Sequence, residues 1–490
     1  MTLKRIVLIL LTLIAVLVYG LQLFESWHKP QFQSRLELYQ ADILLQASAW
    51  KGDDSNQNYK IRDAILGAKP LENATEDYQE VSKSAQINLD KIKNQPSELR
   101  EQSPKELSKF IAELNLRLGI LQAQQGEVDK AIKTWQSQDN TPTEATEEVL
   151  TGLWSQPARL LPNAEQLIQT NLDGWFRFTT LTKLYQLEQR KEALANLQVS
   201  EQQAANQALT KLGIIITIPY LTALIGTGLL IFLIIQRFIK GKDALLAQNA
   251  NITWSSPWDG ETILQVFVVG FFLVGKVVAE FIIPVLVLSL SIPRPLTDAR
   301  IQALLVLVSY IFVTAGTLSV LYLSVKPFLP LPEGWFSLQL RSRWFLWGLG
   351  GYFAAVPIVA IASLLNQLIW QGRGGSNPLL QIVLESRDSL ALVIFFSTAA
   401  IAAPLFEEIL FRGFLLPSLT RYIPVSGAIV LSGFLFALAH LSLSEILPLT
   451  TLGIVLGIVY TRSRNLLAPI LLHSLWNSGT LLTLFILGGK

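Results

Sequence analysis

Apolar residues in this chain gather into long runs near both ends, and fall into a helical rhythm between them. The first run covers residues 6–24, directly behind Lys4 and Arg5. At 1.5 Å per residue it is long enough to cross a hydrocarbon core of about 30 Å. A cleaved signal peptide would carry a shorter apolar core and a small-x-small cleavage site. This run instead continues through Tyr19, Gly20 and Leu21 to Trp27, and reads as an uncleaved anchor. Beyond residue 211 the apolar segments are 212–236, 263–290, 301–325, 344–369, 390–405, 425–438, 446–460 and 466–487. Together with the anchor they predict about nine crossings.

The stretch between is polar. Leu114, Leu118, Leu121, Val128, Ala131, Ile132 and Trp135 recur at spacings of three, four and seven, interrupted by a turn at Gln125-Gly126. Leu118-Gly119, Gly126, Ala131 and Trp135 resemble the small and large positions of a tetratricopeptide helix pair. A poorer copy runs through Leu181, Tyr185, Ala193 and Leu197. A small helical domain with ordinary i, i+4 packing explains the same pattern. The predicted architecture is all-α, a polytopic transmembrane bundle with an N-terminal extramembrane helical domain. Its divisions are an anchor at 1–24, the helical domain at 25–211, transmembrane helices at 212–379 and a C-terminal core at 380–490.

Composition agrees with this division. Of 490 residues 16% are charged, against about a quarter in soluble proteins, and mean hydropathy is positive. A net charge of +2 gives nucleic-acid binding no electrostatic support. The absence of cysteine excludes disulfides, thiolate metal sites and a cysteine nucleophile. With Met1 on the cytoplasmic side, alternate short loops hold Arg237, Lys240 and Lys242; Lys326, Arg341 and Arg343; Arg412 and Arg421; and Arg462 and Arg464. The opposite loops hold Arg294, Arg300, Arg373 and Arg387. The positive-inside rule then puts the helical domain and Lys490 outside the cytoplasm.

Ionisable groups at membrane depth need a partner or a purpose, and the C-terminal third has several. Glu407, Glu408 and Arg412 lie close together, His440 ends an apolar run, and His473 precedes Asn477 by four residues. His28 is the third histidine and lies in a polar segment. Pro404 suits the first turn of a helix reaching about residue 419, with a kink nearby and a turn at 421–424. An antiparallel hairpin then sets Glu407 and His440 roughly 22 and 25 Å from that turn, at nearly one height. A further turn near Ser463 places His473 and Asn477 on one helix face, roughly 13 to 20 Å away. The spacing predicts one polar pocket among three helices.

Adjacent glutamates point about 100° apart on a helix, so they take separate roles. Glu408 and Arg412 neutralise each other at i, i+4. Glu407 is left to face the cavity as a general base beside an imidazole. His473 and Asn477 offer N–H donors to an oxyanion. That chemistry is attack of activated water on a peptide carbonyl. A zinc ion held by Glu407, His440 and His473, with water as fourth ligand, fits the residue types equally. Lys276 and Glu280 read as a self-neutralising pair. Gly374-Gly375 and residues 326–332 read as loops.

Glu-Glu-x-x-x-Arg at 407–412, Phe-x-x-x-His at 436–440 and His-x-x-x-Asn at 473–477 resemble the signature of the CPBP family. These are the CAAX prenyl endopeptidase type II and bacteriocin-processing proteins, also called Abi. The resemblance covers about residues 380–487 and implies an intramembrane endopeptidase. It assigns Glu407 and His440 to water activation, and His473 and Asn477 to the oxyanion, with Glu408 and Arg412 in support. The family is described as metalloproteases, which leaves the zinc alternative open. The substrate would be a membrane-associated protein or peptide, prenylated in one branch of the family. The membrane would be a bacterial cytoplasmic membrane or a thylakoid-like one. The helical domain lies outside the motif pattern, and a protein partner is the natural expectation for it. A transporter, with polar residues along several helices, and a catalytically silent scaffold presenting the helical domain are the readings from other classes.

Overall fold

The computed structural model describes residues 2–27, 33–51, 66–67, 69–93, 104–137, 142–292, 298–370, 378–386 and 388–488. Among them regular structure is helical throughout. His28, Arg294, Arg373, Gly374, Gly375, Arg387 and Lys490 lie outside the described residues. Two compact units divide the chain. One joins Met1–Phe32 to Ile218–Lys490, and the other is Gln33–Thr217.

Helix α1 (Leu3–Ser26) opens the first unit. The second unit is built from α2 (Gln33–Ser48), α3 (Pro70–Lys93), α4 (Pro104–Gln124), α5 (Val128–Trp135), α6 (Glu144–Trp154), α7 (Ala164–Asn171) and α8 (Gly174–Leu187). Helix α9 (Lys191–Lys240) belongs to both units along its length. The turn between α4 and α5 uses Gly126 at φ +86°, a conformation that favours glycine. Trp135 then folds back over α4, and its indole N–H donates to the Leu116 carbonyl at 3.1 Å. The indole lies so close to Gly119 that a Cβ there would meet Nε1 at 2.2 Å. In the same unit the Arg117 guanidinium bridges Asp42 at 3.4 Å and Asp173 at 2.9 Å. The Tyr78 hydroxyl donates to Asp42 at 2.5 Å, and burial pushes its pKa well up.

The membrane unit continues with α10 (Gly260–Ser289), α11 (Ala299–Val325), α12 (Trp344–Trp370), α13 (Pro378–Glu385), α14 (Ser389–Leu419), α15 (Val425–Leu438), α16 (Ile446–Ser463) and α17 (Leu467–Gly488). Three of these begin under an aspartate. Asp259, Asp298 and Asp388 accept backbone N–H groups of the first turns of α10, α11 and α14, each cap contributing about 1 kcal/mol. Eight described helices are long and apolar enough to cross a bilayer. The chain is a multi-pass integral membrane protein.

Residues 425–438 form the shortest of the nine apolar segments, the 14-residue α15, about 21 Å long. Two expectations need correcting. Pro404 does not begin a helix. It lies inside α14, which starts at Ser389 and passes through a π-type turn at Ser397–Ala402 just ahead of the proline. The wider turn accommodates the missing N–H, so residues 390–405 and the acidic pair share one helix. Arg412 is not a loop residue but a wholly buried one. Lys276 and Glu280 do form an i, i+4 ion pair.

Loop contacts sort into two groups at opposite ends of the helices. Trp254 donates its backbone N–H to Thr420 Oγ1 at 3.2 Å, Arg462 Nε reaches the Leu246 carbonyl at 2.7 Å, and Leu466 N–H reaches the Ser337 carbonyl at 2.9 Å. At the other end Leu443 N–H donates to Ser26 Oγ at 3.2 Å, Asn366 to the Ser444 carbonyl at 2.5 Å, and Arg300 to Asp388 at 2.6 Å. Between the ends, α15 and α16 touch glycine to glycine. A Cβ on Gly433 would meet Ile454 N at 2.9 Å, and one on Gly453 would meet Gly433 Cα at 2.7 Å. Small residues let the two backbones approach this closely.

Candidate active site

Helix α14 carries the acidic pair between two π-type turns, Ser397–Ala402 and Ile409–Leu415. In the i→i−5 register Pro404 would have bonded to Ala399, and it has no N–H to give. Asn477 of α17 supplies the donor instead, its side-chain amide reaching the Ala399 carbonyl at 2.7 Å. Four residues earlier on α17, His473 meets Glu408 of α14. As α17 advances, its partners on α14 recede, so the two helices are antiparallel here.

Glu408 is the hub. Its Oε1 accepts from Arg412 Nη1 at 2.8 Å and from His473 Nδ1 at 2.9 Å. The side chains of Glu408 and Arg412 are both 0% exposed. Arg412 spends a second arm on the Gly453 carbonyl at 3.1 Å, and its guanidinium lies 4.6 Å from the centre of the Phe436 ring. The close α15–α16 contact at Gly433 and Gly453 thus sets the carbonyl that receives the arginine. Glu408 Oε2 and Arg412 Nε are buried with no protein partner among the described residues.

Glu407 stands on the other side of the imidazole. Its Oε2 lies 3.9 Å from His473 Nε2, and it keeps 18% side-chain exposure against 3% for the histidine. The two adjacent glutamates therefore address the two nitrogens of one ring. Their separation of about 100° around α14 makes this arrangement available.

His440 lies just beyond the end of α15. Its Nδ1 bonds the Phe436 carbonyl at 2.9 Å, one of the last-turn carbonyls that a helix leaves open. A carbonyl can only accept, so Nδ1 carries the hydrogen and Nε2 presents a lone pair. Phe436 packs edge-on against both imidazoles, 4.8 Å from His440 and 5.6 Å from His473 between ring centres.

The structure thus brings Glu407, Glu408, Arg412 and His473 into direct contact, with His440 across the shared Phe436 ring. Asn477 is turned towards the Ala399 carbonyl, with one amide N–H engaged there. The bond from Glu408 to His473 was not legible in the motif spacing, which paired Glu408 with Arg412 alone. Nor was the Gly453 carbonyl, since a backbone acceptor carries no residue-type signal. Among the described residues no three histidine, aspartate or glutamate side chains converge closely enough to hold a metal ion. Both Nδ1 atoms are engaged, by the Phe436 carbonyl and by Glu408, which leaves the two Nε2 atoms.

Residues 389–479 match the family model of type II CAAX prenyl endopeptidases, Rce1-like. The match takes in α14 to the first half of α17 and leaves the helical unit outside. A curated relative, "Putative membrane peptidase YdiL" of Bacillus subtilis (strain 168), is 27% identical over 133 residues. That alignment covers 27% of this chain and 53% of the relative, so the chain spans about half the length of the curated protein it matches. No solved structure matches. Residues 389–479 are thus similar to the type II CAAX prenyl endopeptidases, Rce1-like, and part of the chain is similar to a membrane peptidase.

Proposed function

We propose that this protein is an intramembrane endopeptidase that hydrolyses a peptide bond of a membrane-associated protein or peptide with water activated by Glu407 and His440. The observation that carries the reading is the division of labour around His473, with a buried, arginine-paired carboxylate on Nδ1 and a partly exposed one near Nε2. The first holds the ring in place. The second is partly exposed, as a base that meets water must be.

In the proposed reaction Glu407, assisted by His440 through its Nε2 lone pair, takes a proton from water as the oxygen attacks the carbonyl carbon. The carbonyl oxygen becomes an oxyanion. His473 Nε2–H and the second N–H of the Asn477 amide donate to it. Donation from Nε2 requires a doubly protonated ring, because Nδ1–H already points at Glu408. With Glu407 holding the water proton, Glu408 and the oxyanion balance Arg412 and His473. Collapse expels the amine, which takes the proton held by Glu407 and leaves a new carboxyl terminus. The helical unit Gln33–Thr217 is proposed to receive a protein partner or the substrate's soluble part.

The test is cleavage of a peptide library presented on membrane-associated carriers by purified, reconstituted protein. Glu407→Gln keeps the shape and removes the base, and should lower turnover by at least about a hundredfold. Cleavage at the wild-type rate in that variant would sink the assignment. Metal analysis of the same preparation, with chelation and re-addition, is expected to find activity independent of zinc. Stoichiometric zinc whose removal abolishes cleavage would replace glutamate-activated water with a metal mechanism.

A further inference from the structure

Helix α11 lies outside the matched domain, yet it presents a row of hydroxyls on one face, Tyr310, Thr314 and Thr317, at i, i+4 and i+7. Thr317 is accounted for. It is fully buried and donates to the Gly270 carbonyl of α10 at 2.8 Å. The other two are not. Thr314 Oγ1 is buried, and its polar neighbour among the described residues is the Tyr310 hydroxyl. The Tyr310 hydroxyl has one long bond to a backbone acceptor, 3.4 Å to the Ala403 carbonyl, one helical turn before Glu407. Its ring stands edge-on to Phe406 at 5.9 Å, and its hydroxyl faces the Glu407 carboxylate.

A phenol in an apolar helix is retained at a cost unless its hydroxyl is used. Here the best acceptor within reach is the carboxylate, and a hydrogen bond to an ionised oxygen is about twice as strong as one to a carbonyl. We infer that Tyr310 is a positioning residue for Glu407: its hydroxyl holds one carboxylate oxygen, so that the other is aimed at the water, with Thr314 continuing the polar track along α11. The inference rests on the peptidase reading, in which Glu407 is the base. Glu407 is then held from two helices, by Tyr310 of α11 and His473 of α17, and shares the field of Glu408 and Arg412 on its own helix. A carboxylate with one oxygen fixed needs less reordering to reach the attacking geometry, so the gain falls on turnover rather than on substrate binding.

Two measurements test this, and they fail separately. The infrared difference spectrum of the reconstituted protein contains the phenol C–O band of Tyr310, identified by its loss in Tyr310→Phe. If the hydroxyl holds Glu407, the band shifts in Glu407→Ala; a band unmoved by that variant overturns the inference. In the cleavage assay Tyr310→Phe keeps the ring against Phe406 and should lower kcat about tenfold, with KM within about twofold and the unfolding midpoint unchanged. Full kcat in that variant also overturns it. A shifted band in a protein that cleaves nothing defeats the peptidase reading and leaves the Tyr310–Glu407 contact standing. Cleavage that depends on Glu407 but not on Tyr310 does the reverse.

Discussion

At the scale of single residues the energetics turn on Glu408, Arg412 and His473. A wholly buried ion pair gains little over a well-packed apolar pair, but removing one partner strands a charge at a cost of about 3 to 5 kcal/mol. Glu408→Leu should therefore destabilise the bundle by roughly that amount, and Glu408→Leu with Arg412→Leu should recover much of it. Equilibrium unfolding in mixed detergent reads both. If the double variant is as unstable as the single one, the pair is not where the cost lies. Neither variant should retain peptidase activity, because His473 loses the acceptor on Nδ1 in both. The i, i+4 pairing of Glu408 with Arg412 could be read from spacing alone. That one oxygen also receives His473, 65 positions later in the chain, could not, since the partner lies on another helix.

At the scale of elements, α14 and α17 are joined by an exchange of donors. Pro404 removes an N–H from α14, and Asn477 of α17 restores a donor at the Ala399 carbonyl. Pro404→Ala returns the missing N–H, so the two changes should be coupled. Asn477→Ala is expected to cost about 1 kcal/mol in the native sequence, and clearly less when Pro404 is replaced by alanine. A double-mutant cycle of unfolding free energies measures the difference, and strict additivity would show that Asn477 is not serving that carbonyl. The proline was visible in the sequence and pointed to a helix start. The π-type turn that keeps it in mid-helix is a tertiary outcome, because the widened turn has its loose carbonyl met by another helix. The same holds for α15. Its apolar run is legible in the sequence, but its end at Leu438 is set by the His440 side chain closing the last turn and by Leu441 at φ +56° turning the chain away.

At the scale of the whole molecule, two units of different chemistry share one chain, and each has its own sensitivity to conditions. In the helical unit the Arg190 guanidinium at 2.6 Å and the Tyr185 hydroxyl at 2.7 Å hold the Glu165 carboxyl below the usual carboxylate range. A lowered folded-state value means that the stabilisation is present above the ordinary carboxylate pKa of about 4 and is lost as pH falls through the lowered value. Arg190→Gln should thus weaken hydrogen-exchange protection of Ala164–Leu187 near neutral pH and change little in strong acid. An equal effect at both pH values would refute the linkage. Such a pair is invisible to pattern reading, since Glu165 and Arg190 are 25 positions apart and on the surface. By itself the sequence determined what local physics governs: which segments are long and apolar enough to enter a bilayer, which positions share a helix face, and which residue types could do the chemistry. Tertiary structure alone decided where helices stop, which glutamate holds which nitrogen, and which carbonyl each donor meets. Those outcomes depend on contacts between helices distant in the chain, where each buried polar group must take whatever partner the packing brings within 3 Å or so.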